Sequence, residues 1–441
     1  MTNSTTLTLL AALALAPRPR AAQSPTYEIM YSFKGSPDGV DPEAALVIGE
    51  YGALYGTTVA GGASGLGTVF ELTKPTGEPW KETLLYSFSG SDGQNPNSPL
   101  VLGSTGVLYG ATTGGGGGGA TGVIFELAPP SAAGGTWTGT VLYAFSGGIE
   151  SAAPNGPLLI GPAGTLYTST EGRGAPTGFA VALAAPGTPG GIWTESVLYR
   201  FSGVPEGATP VGGLVSEGGS LYGTTRYGGY GDCGFFGCGL VYELTPPATT
   251  GVSWPETTIH GFSEGPGGRN PAAGLTLGPR GVLYGTTEFG GTGACGTSSG
   301  PYAGCGTVFQ LTPPAAPGGD WTESVLYSFS ATGGDGASPV ASVVVGKNGA
   351  LYGTTKWGGT ATSACPGSAS VLAGCGIVFE LTPPATSGGA WTETVLHAFT
   401  GLDGDGATPV AGLALSSTGA LYGTTSAGGT AGKGTAFVIE P

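Results

Sequence analysis

The pentapeptide Leu54-Tyr55-Gly56-Thr57-Thr58 recurs six more times, starting at Leu108, Leu166, Leu221, Leu283, Leu351 and Leu421. Two copies depart from it: Leu108-Tyr109-Gly110-Ala111-Thr112 and Leu166-Tyr167-Thr168-Ser169-Thr170. Intervals of 54 to 70 residues mean one structural unit used seven times, and a period of that length constrains the fold more than any single motif does. Each unit carries four apolar runs in a fixed order. They are typified by Pro409 to Leu415, Leu421 to Thr425, Gly434 to Ile439 and, one unit earlier, Trp391 to Phe399. Runs of five to nine residues rich in Val, Leu, Tyr, Phe and Thr, bounded by Gly, Pro, Asp or Ser, read as strands and turns. No stretch inside the repeats holds apolar residues at helical spacing. The chain is therefore expected to be all-β: a seven-bladed β-propeller with four strands per blade. A solenoid is the competing architecture.

The blades fall at about 42–88, 96–145, 154–201, 210–262, 271–329, 339–399 and 409–441. The first apolar run, Ile29-Met30-Tyr31-Ser32-Phe33, matches the fourth run of a unit, as in Leu84-Leu85-Tyr86-Ser87-Phe88, while the last unit stops after three. Residues 26–33 are therefore expected to complete the seventh blade and close the ring, which removes a free sheet edge. On this reading 25–441 is a single domain.

Gly and Pro number 90 and 35 in 441 residues, and they fall between the apolar runs, where they act as turn chemistry. Asp and Glu outnumber Lys and Arg 28 to 13, for a net charge of −15. That excludes a nucleic-acid partner, which requires clustered cations. Residues 1–24 read as an export leader. Leu7 to Ala16 is apolar and too short to span a bilayer, although no Lys or Arg precedes it and Pro17 follows it. No other run is long enough for a transmembrane helix. The six cysteines form three local pairs, Cys233/Cys238, Cys295/Cys305 and Cys365/Cys375, each between the second and third strands of its blade. Equivalent placement favours three disulfides over the other pairings that six cysteines allow. Disulfides in turn point to a secreted, cell-surface or periplasmic protein.

Three elements in succession, Asp-Gly-x-x-Pro, Leu-Tyr-Gly-Thr-Thr and a third run such as Gly67-Thr68-Val69-Phe70-Glu71-Leu72-Thr73 or Gly306-Thr307-Val308-Phe309-Gln310-Leu311-Thr312-Pro313-Pro314, resemble the bacterial GloVer tandem-repeat (choice-of-anchor) proteins over roughly 26–441. The resemblance implies an exported protein. Members of that family carry varied C-terminal surface anchors, whereas this chain stops at Pro441 without a sorting tail. No catalytic residues are transferred by the resemblance.

Propeller topology places the loops between strands two and three on one face with the connections from strand four to the next strand one. That face holds the cysteine loops, the Asp-Gly segments and most of the variation between units, so function is expected there. Its loops on blades 4 to 6 carry Tyr227, Tyr230, Phe235, Phe236, Phe289, Tyr302 and Trp357. Six other tryptophans (80, 137, 193, 254, 321, 391) each open a fourth strand and are repeat-structural. These loop aromatics offer contact area for a glycan or protein partner; the alternative is that they cover the disulfides as small satellite cores. Glu43, Asn97 and Asn155 follow the Pro or stand in its vicinity at the start of strand one, and are expected to ring the channel mouth. Glu43 with Asp41 or Asp92 is a candidate carboxylate pair for glycoside cleavage. Asp403-Gly404-Asp405-Gly406 raises calcium as a ligand but lacks the spacing and terminal Glu of an EF-hand loop; otherwise no cofactor is expected. His260 and His397 replace the Tyr of the fourth strand and are expected to pack. Glutamates repeat in strand three (Glu71, Glu126, Glu243, Glu380) and strand four (Glu82, Glu195, Glu256, Glu323, Glu393), as scaffold residues do.

The functional expectation is a monomeric, exported, non-catalytic binding or surface-interaction module. The alternatives are a carbohydrate-active hydrolase or lyase with carboxylates at the channel mouth, and a structural envelope protein.

Overall fold

The structure is a computed structural model that describes residues 24–118, 121–132, 134–146, 153–172, 177–188, 190–231, 233–249, 251–295, 303–316, 318–365, 372–386 and 388–441. The leader up to residue 23, and Tyr302, lie outside them.

Seven four-stranded antiparallel sheets stand in a ring. The first blade consists of Val47–Ile48, Leu54–Thr58, Thr68–Thr73 and Lys81–Ser87 in spatial order. The same order repeats in the blades built around Leu108–Thr112, Leu166–Glu171, Ser220–Tyr227, Leu283–Thr287 and Leu351–Thr355. In the seventh sheet Ala414–Leu415, Leu421–Thr425 and Thr435–Glu440 are joined by Thr26–Ser32, which runs antiparallel to Thr435–Glu440 with Thr26 opposite Glu440 and Ser32 opposite Thr435.

The recurring pentapeptide is explained atom by atom. Its Leu is fully buried between blades. Its Gly lies opposite an aromatic residue of strand three: Gly56 pairs with Phe70, and a Cβ on Gly56 would meet the Phe70 ring at 2.5 Å. The aberrant blade follows the same rule. Thr168 stands where Gly is expected, and it faces Val181, which leaves room for a side chain. The next residue, Thr or Ser, donates its hydroxyl to a carbonyl of the following blade: Thr57 to Ser98, Ser169 to Gly212, Thr224 to Ala273, Thr286 to Ala341 and Thr354 to Ala411, at 2.7 to 3.5 Å. Thr424 completes the circuit by donating to Ala44 of the first blade at 3.1 Å. Only Ala111 lacks the hydroxyl. The last Thr turns back on its own chain, as when Thr58 donates to the Ala60 carbonyl at 2.8 Å and lies 2.7 Å from the Thr68 hydroxyl. Such buried hydroxyls would be costly without these partners.

Strand one is shorter than its apolar run suggests. Six blades keep two residues in it, and only Ala208–Glu217 is long. The proline that opens the run has no N–H to donate. The residue before it is left-handed in six blades, with φ of 51 to 58° at Asp41, Asn95, Thr209, Asn270, Ser338 and Thr408. Asn and Asp tolerate that conformation better than most residues. The rest of the run descends along the channel, where its carbonyls accept the Thr hydroxyls.

On the opposite face the tryptophans form seams. Four of them lean on the Tyr of the preceding blade's pentapeptide: Trp137 on Tyr55, Trp254 on Tyr167, Trp321 on Tyr222 and Trp80 on Tyr422, with ring centroids 5.9 to 6.4 Å apart. Among the described residues no helix is long and apolar enough to cross a membrane.

Candidate functional site

All three cysteine pairs are disulfide-bonded, Cys233–Cys238, Cys295–Cys305 and Cys365–Cys375, with Cα atoms 4.8 to 5.1 Å apart. Their loops sit against the connections into the next blade. The Asn270, Ser338 and Thr408 amides donate to the Cys238, Cys305 and Cys375 carbonyls. Disulfides and aspartate-rich connections therefore share one face, and buried Arg269 adds a tie by donating to the Ala303 carbonyl at 2.7 Å.

The aspartates of that face serve its turns. Asp38 accepts from the Tyr31 hydroxyl and the Lys34 and Gly39 amides. Asp92 accepts from Tyr86 and from the amide and hydroxyl of Ser89. Asp405 accepts from Tyr27, Gly406 and both the amide and hydroxyl of Thr400, with His397 at 3.3 Å. Burial works against the Asp405 charge, but the bonds from His397, Tyr27 and Thr400 outweigh it and hold the carboxyl down to about 2. Asp403 is exposed on the same turn. Among the described residues no three His, Cys, Asp or Glu side chains cluster as metal ligands. Both histidines lie on outer strands. His397 stacks on Tyr27 at 3.6 Å, and His260 packs edge-on to Phe262.

At the centre of the ring is a cavity of about 350 Å³ walled by the first segments of all seven blades, within the range of small-ligand sites. Glu43, Asn97 and Asn155 all line it. Asn97 Oδ1 is buried there without a hydrogen-bond partner in the protein. Asp92, held on the rim by Tyr86, does not line the cavity, whereas Asp41 lies near enough to act on Glu43. Burial, and then the Asp41 charge, raise the Glu43 carboxyl above its ordinary range, and the Lys356 ammonium partly offsets this. Glu171 is raised by burial and relieved by Arg226 and by a hydrogen bond from the Asn155 amide.

These partners reveal residues that the sequence reading passed over. The position after each pentapeptide holds Val59, Thr113, Glu171, Arg226, Glu288, Lys356 and Ser426 around the ring. Blades 3 to 6 thus present acid, base, acid, base in succession. Arg226 pairs with Glu288 across a blade boundary. The signal was present in the repeat: a slot directly after a Thr that is constant in all seven units, and itself variable.

The next position carries Tyr227, Phe289 and Trp357 on blades 4 to 6, where the other blades have Ala60, Gly114, Gly172 and Ala427. The aromatics are half-buried. Trp357 lies in a short ribbon, Trp357–Gly358 against Gly336–Ala337, and packs on the core between blades 5 and 6. Lys356 Nζ sits 5.2 Å from its ring centre, and Arg226 lies 5.9 Å from that of Tyr227. Farther out, Tyr230 is exposed and Phe236 half-exposed, with Phe236 5.8 Å from Tyr227. Phe235 lies in the same short turn, Gly234–Phe236. The loop aromatics therefore divide: Trp357 is anchored on core, Tyr227 and Phe289 are half-buried, and Tyr230 and Phe236 reach solvent.

Comparison with solved structures gives distant likenesses. The polysaccharide lyase Uly1 matches with a TM-score of 0.50 at 9% identity, covering 91% of this chain and 90% of that one. A luciferin-regenerating enzyme matches at 0.43 and 14%, covering 83% and 98%. The Hadza microbial sialidase Hz136 matches at 0.39 and 13%, covering 78% and 63%. At such identities likeness concerns fold alone. No curated protein matches the sequence. The Gloeobacter/Verrucomicrobia repeat matches residues 20–236 and 295–441. The interval between still contains Leu283-Tyr284-Gly285-Thr286-Thr287 and the same blade geometry. By its sequence and its seven equivalent blades, this chain belongs to the Gloeobacter/Verrucomicrobia repeat family.

Proposed function

We propose that this protein is an exported, non-catalytic binding module whose contact surface is the channel mouth together with the charged–aromatic arc of blades 4 to 6. The observation that carries the reading is the run of dipeptides Arg226-Tyr227, Glu288-Phe289 and Lys356-Trp357 at equivalent places on three neighbouring blades. Each couples a hydrogen-bonding charge to a flat ring, a combination suited to a ligand with hydroxyl groups and apolar faces. Disulfides brace the loops behind all three, which lowers the ordering cost of binding. Asn97 Oδ1 offers an unused acceptor in the adjoining cavity.

Binding is favoured over catalysis because the mouth carboxylates are already engaged: Glu288 by Arg226 and Glu171 by Asn155. Glu43 is the one carboxylate among the described residues that line the cavity, and its neighbour Asp41 acts on it from outside that lining, so no carboxylate faces it across the cavity. The three disulfides fit an extracellular or periplasmic location, in keeping with export. A reducing-end release assay on soluble glycans, run beside a glycan-array screen, tests the reading. Binding without release of new reducing ends is expected. Release that Glu43→Gln abolishes would make the protein an enzyme.

A further inference from the structure

A groove of about 900 Å³ lies on the face opposite the disulfides. It crosses the first blade. One wall is the Trp80–Tyr422 seam and the other the Trp137–Tyr55 seam. At its rim stands Tyr51, fully exposed and left-handed, with φ of 55°. The matching turns of three other blades carry Ala163, Arg280 and Asn348 in that conformation. An aromatic residue there is sterically disfavoured and covers no core, so packing does not account for it.

We infer that this groove is a second ligand site, separate from the channel mouth, which takes a neutral glycan chain. Tyr51 offers a free ring face for the C–H face of a sugar. Glu50 and Glu71 line the groove as acceptors for hydroxyl donors. An anionic polysaccharide fits poorly, because it would meet both carboxylates. The ammonium of Lys74 is already committed to Glu28 at 3.0 Å and lies 5.4 Å over the Trp80 ring. A proline-rich peptide, the other familiar occupant of an aromatic groove, needs N–H or O–H donors for its carbonyls. Here the Trp80 indole N–H is buried, and the Tyr55 hydroxyl is bonded to Glu71. Two of the groove's aromatic donors are thus withdrawn while two carboxylates line it, which favours a hydroxyl-rich ligand.

Affinity electrophoresis of the whole chain through gels containing a soluble neutral β-glucan, arabinoxylan or galactomannan tests this, with polygalacturonate and polyproline as counter-probes. At least one neutral glycan is expected to retard the protein. Tyr51→Gly is expected to weaken that retardation roughly tenfold or more while leaving Tm unchanged or raised, since glycine relaxes the positive φ. A merely structural Tyr51 would leave retardation intact. Trp357→Ala, on the other face, is expected to keep it. The inference is overturned if no neutral glycan retards the protein, if Tyr51→Gly behaves as wild type, or if polyproline or polygalacturonate binding is what depends on Tyr51. Retardation lost in Trp357→Ala and kept in Tyr51→Gly would overturn this site and support the channel mouth instead.

Discussion

Thr424 donates its hydroxyl to the Ala44 carbonyl at 3.1 Å, joining residues 380 positions apart in sequence. It is one member of a belt of equivalent bonds, and the member that ties the last blade to the first. Beside it, Gly434 lies against Pro42, so close that a Cβ would meet the proline Cδ at 2.5 Å.

Thr424→Val keeps the shape and removes the donor, leaving a buried carbonyl unpaired. A loss of about 1–3 kcal/mol is expected, read from denaturant unfolding. The same substitution at exposed Thr418 should change stability little. Equal behaviour of the two variants contradicts a belt of inter-blade bonds.

The pairing of Gly56 with Phe70, set against Thr168 with Val181, predicts coupled substitutions. Gly56→Thr alone overpacks the blade and should cost about 1–3 kcal/mol or more. Adding Phe70→Val should recover part of that loss relative to the sum of the two single changes. Simple additivity in a double-mutant cycle contradicts the steric account.

Deleting residues 24–34 should lower Tm sharply. It removes fully buried Phe33 and buried Met30, worth roughly 1.5–3 kcal/mol each. It also removes the Tyr27 ring from His397 and exposes the edge of Thr435–Glu440, which favours association. An unchanged Tm and a monomeric product would contradict a latching role for this strand.

Glu82 and Glu393 supply a pH test. Burial, then the Asp38 charge, push Glu82 up to about 7, with Lys34 partly opposing; burial, then Asp335, do the same to Glu393. One oxygen of each is buried without a partner. Because the folded pKa lies above the unfolded value of about 4.3, the protonated form is favoured by folding. That stability is present below about pH 4.3 and is lost as pH rises through about 7. A Glu82→Gln/Glu393→Gln variant should therefore gain in Tm over wild type at pH 8 and differ little at pH 4.5. The reverse order contradicts it.

The repeat made the architecture legible because Leu-Tyr-Gly-Thr-Thr is consumed by contacts that recur around the ring: a buried Leu in every blade, and in six of seven a Gly opposite an aromatic residue and a hydroxyl bonded to the neighbour. The same regularity located the cysteine pairs, and it brought Glu43, Asn97 and Asn155 to one cavity. Strand one was overread because an apolar run lining a channel looks like a paired strand. Glu171, Arg226, Glu288 and Lys356 were hidden for the opposite reason. Each is a single ordinary charge in its own unit, and the alternation appears only when the units are bent into a circle. The groove under Tyr51 was invisible because its aromatic walls come from residues 80, 137, 55 and 422, which only the seams between blades bring together.

The most direct measurement is a glycan-array screen of Tyr51→Gly, in which the groove on the opposite face is disabled, beside Tyr51→Gly/Lys356→Ala and Tyr51→Gly/Arg226→Ala, each first checked for an unchanged Tm. The account predicts that Tyr51→Gly binds at least one glycan class and that both double variants lose this binding. Array binding that survives in both double variants, or a Tyr51→Gly protein that binds nothing, would contradict a ligand surface at the channel mouth.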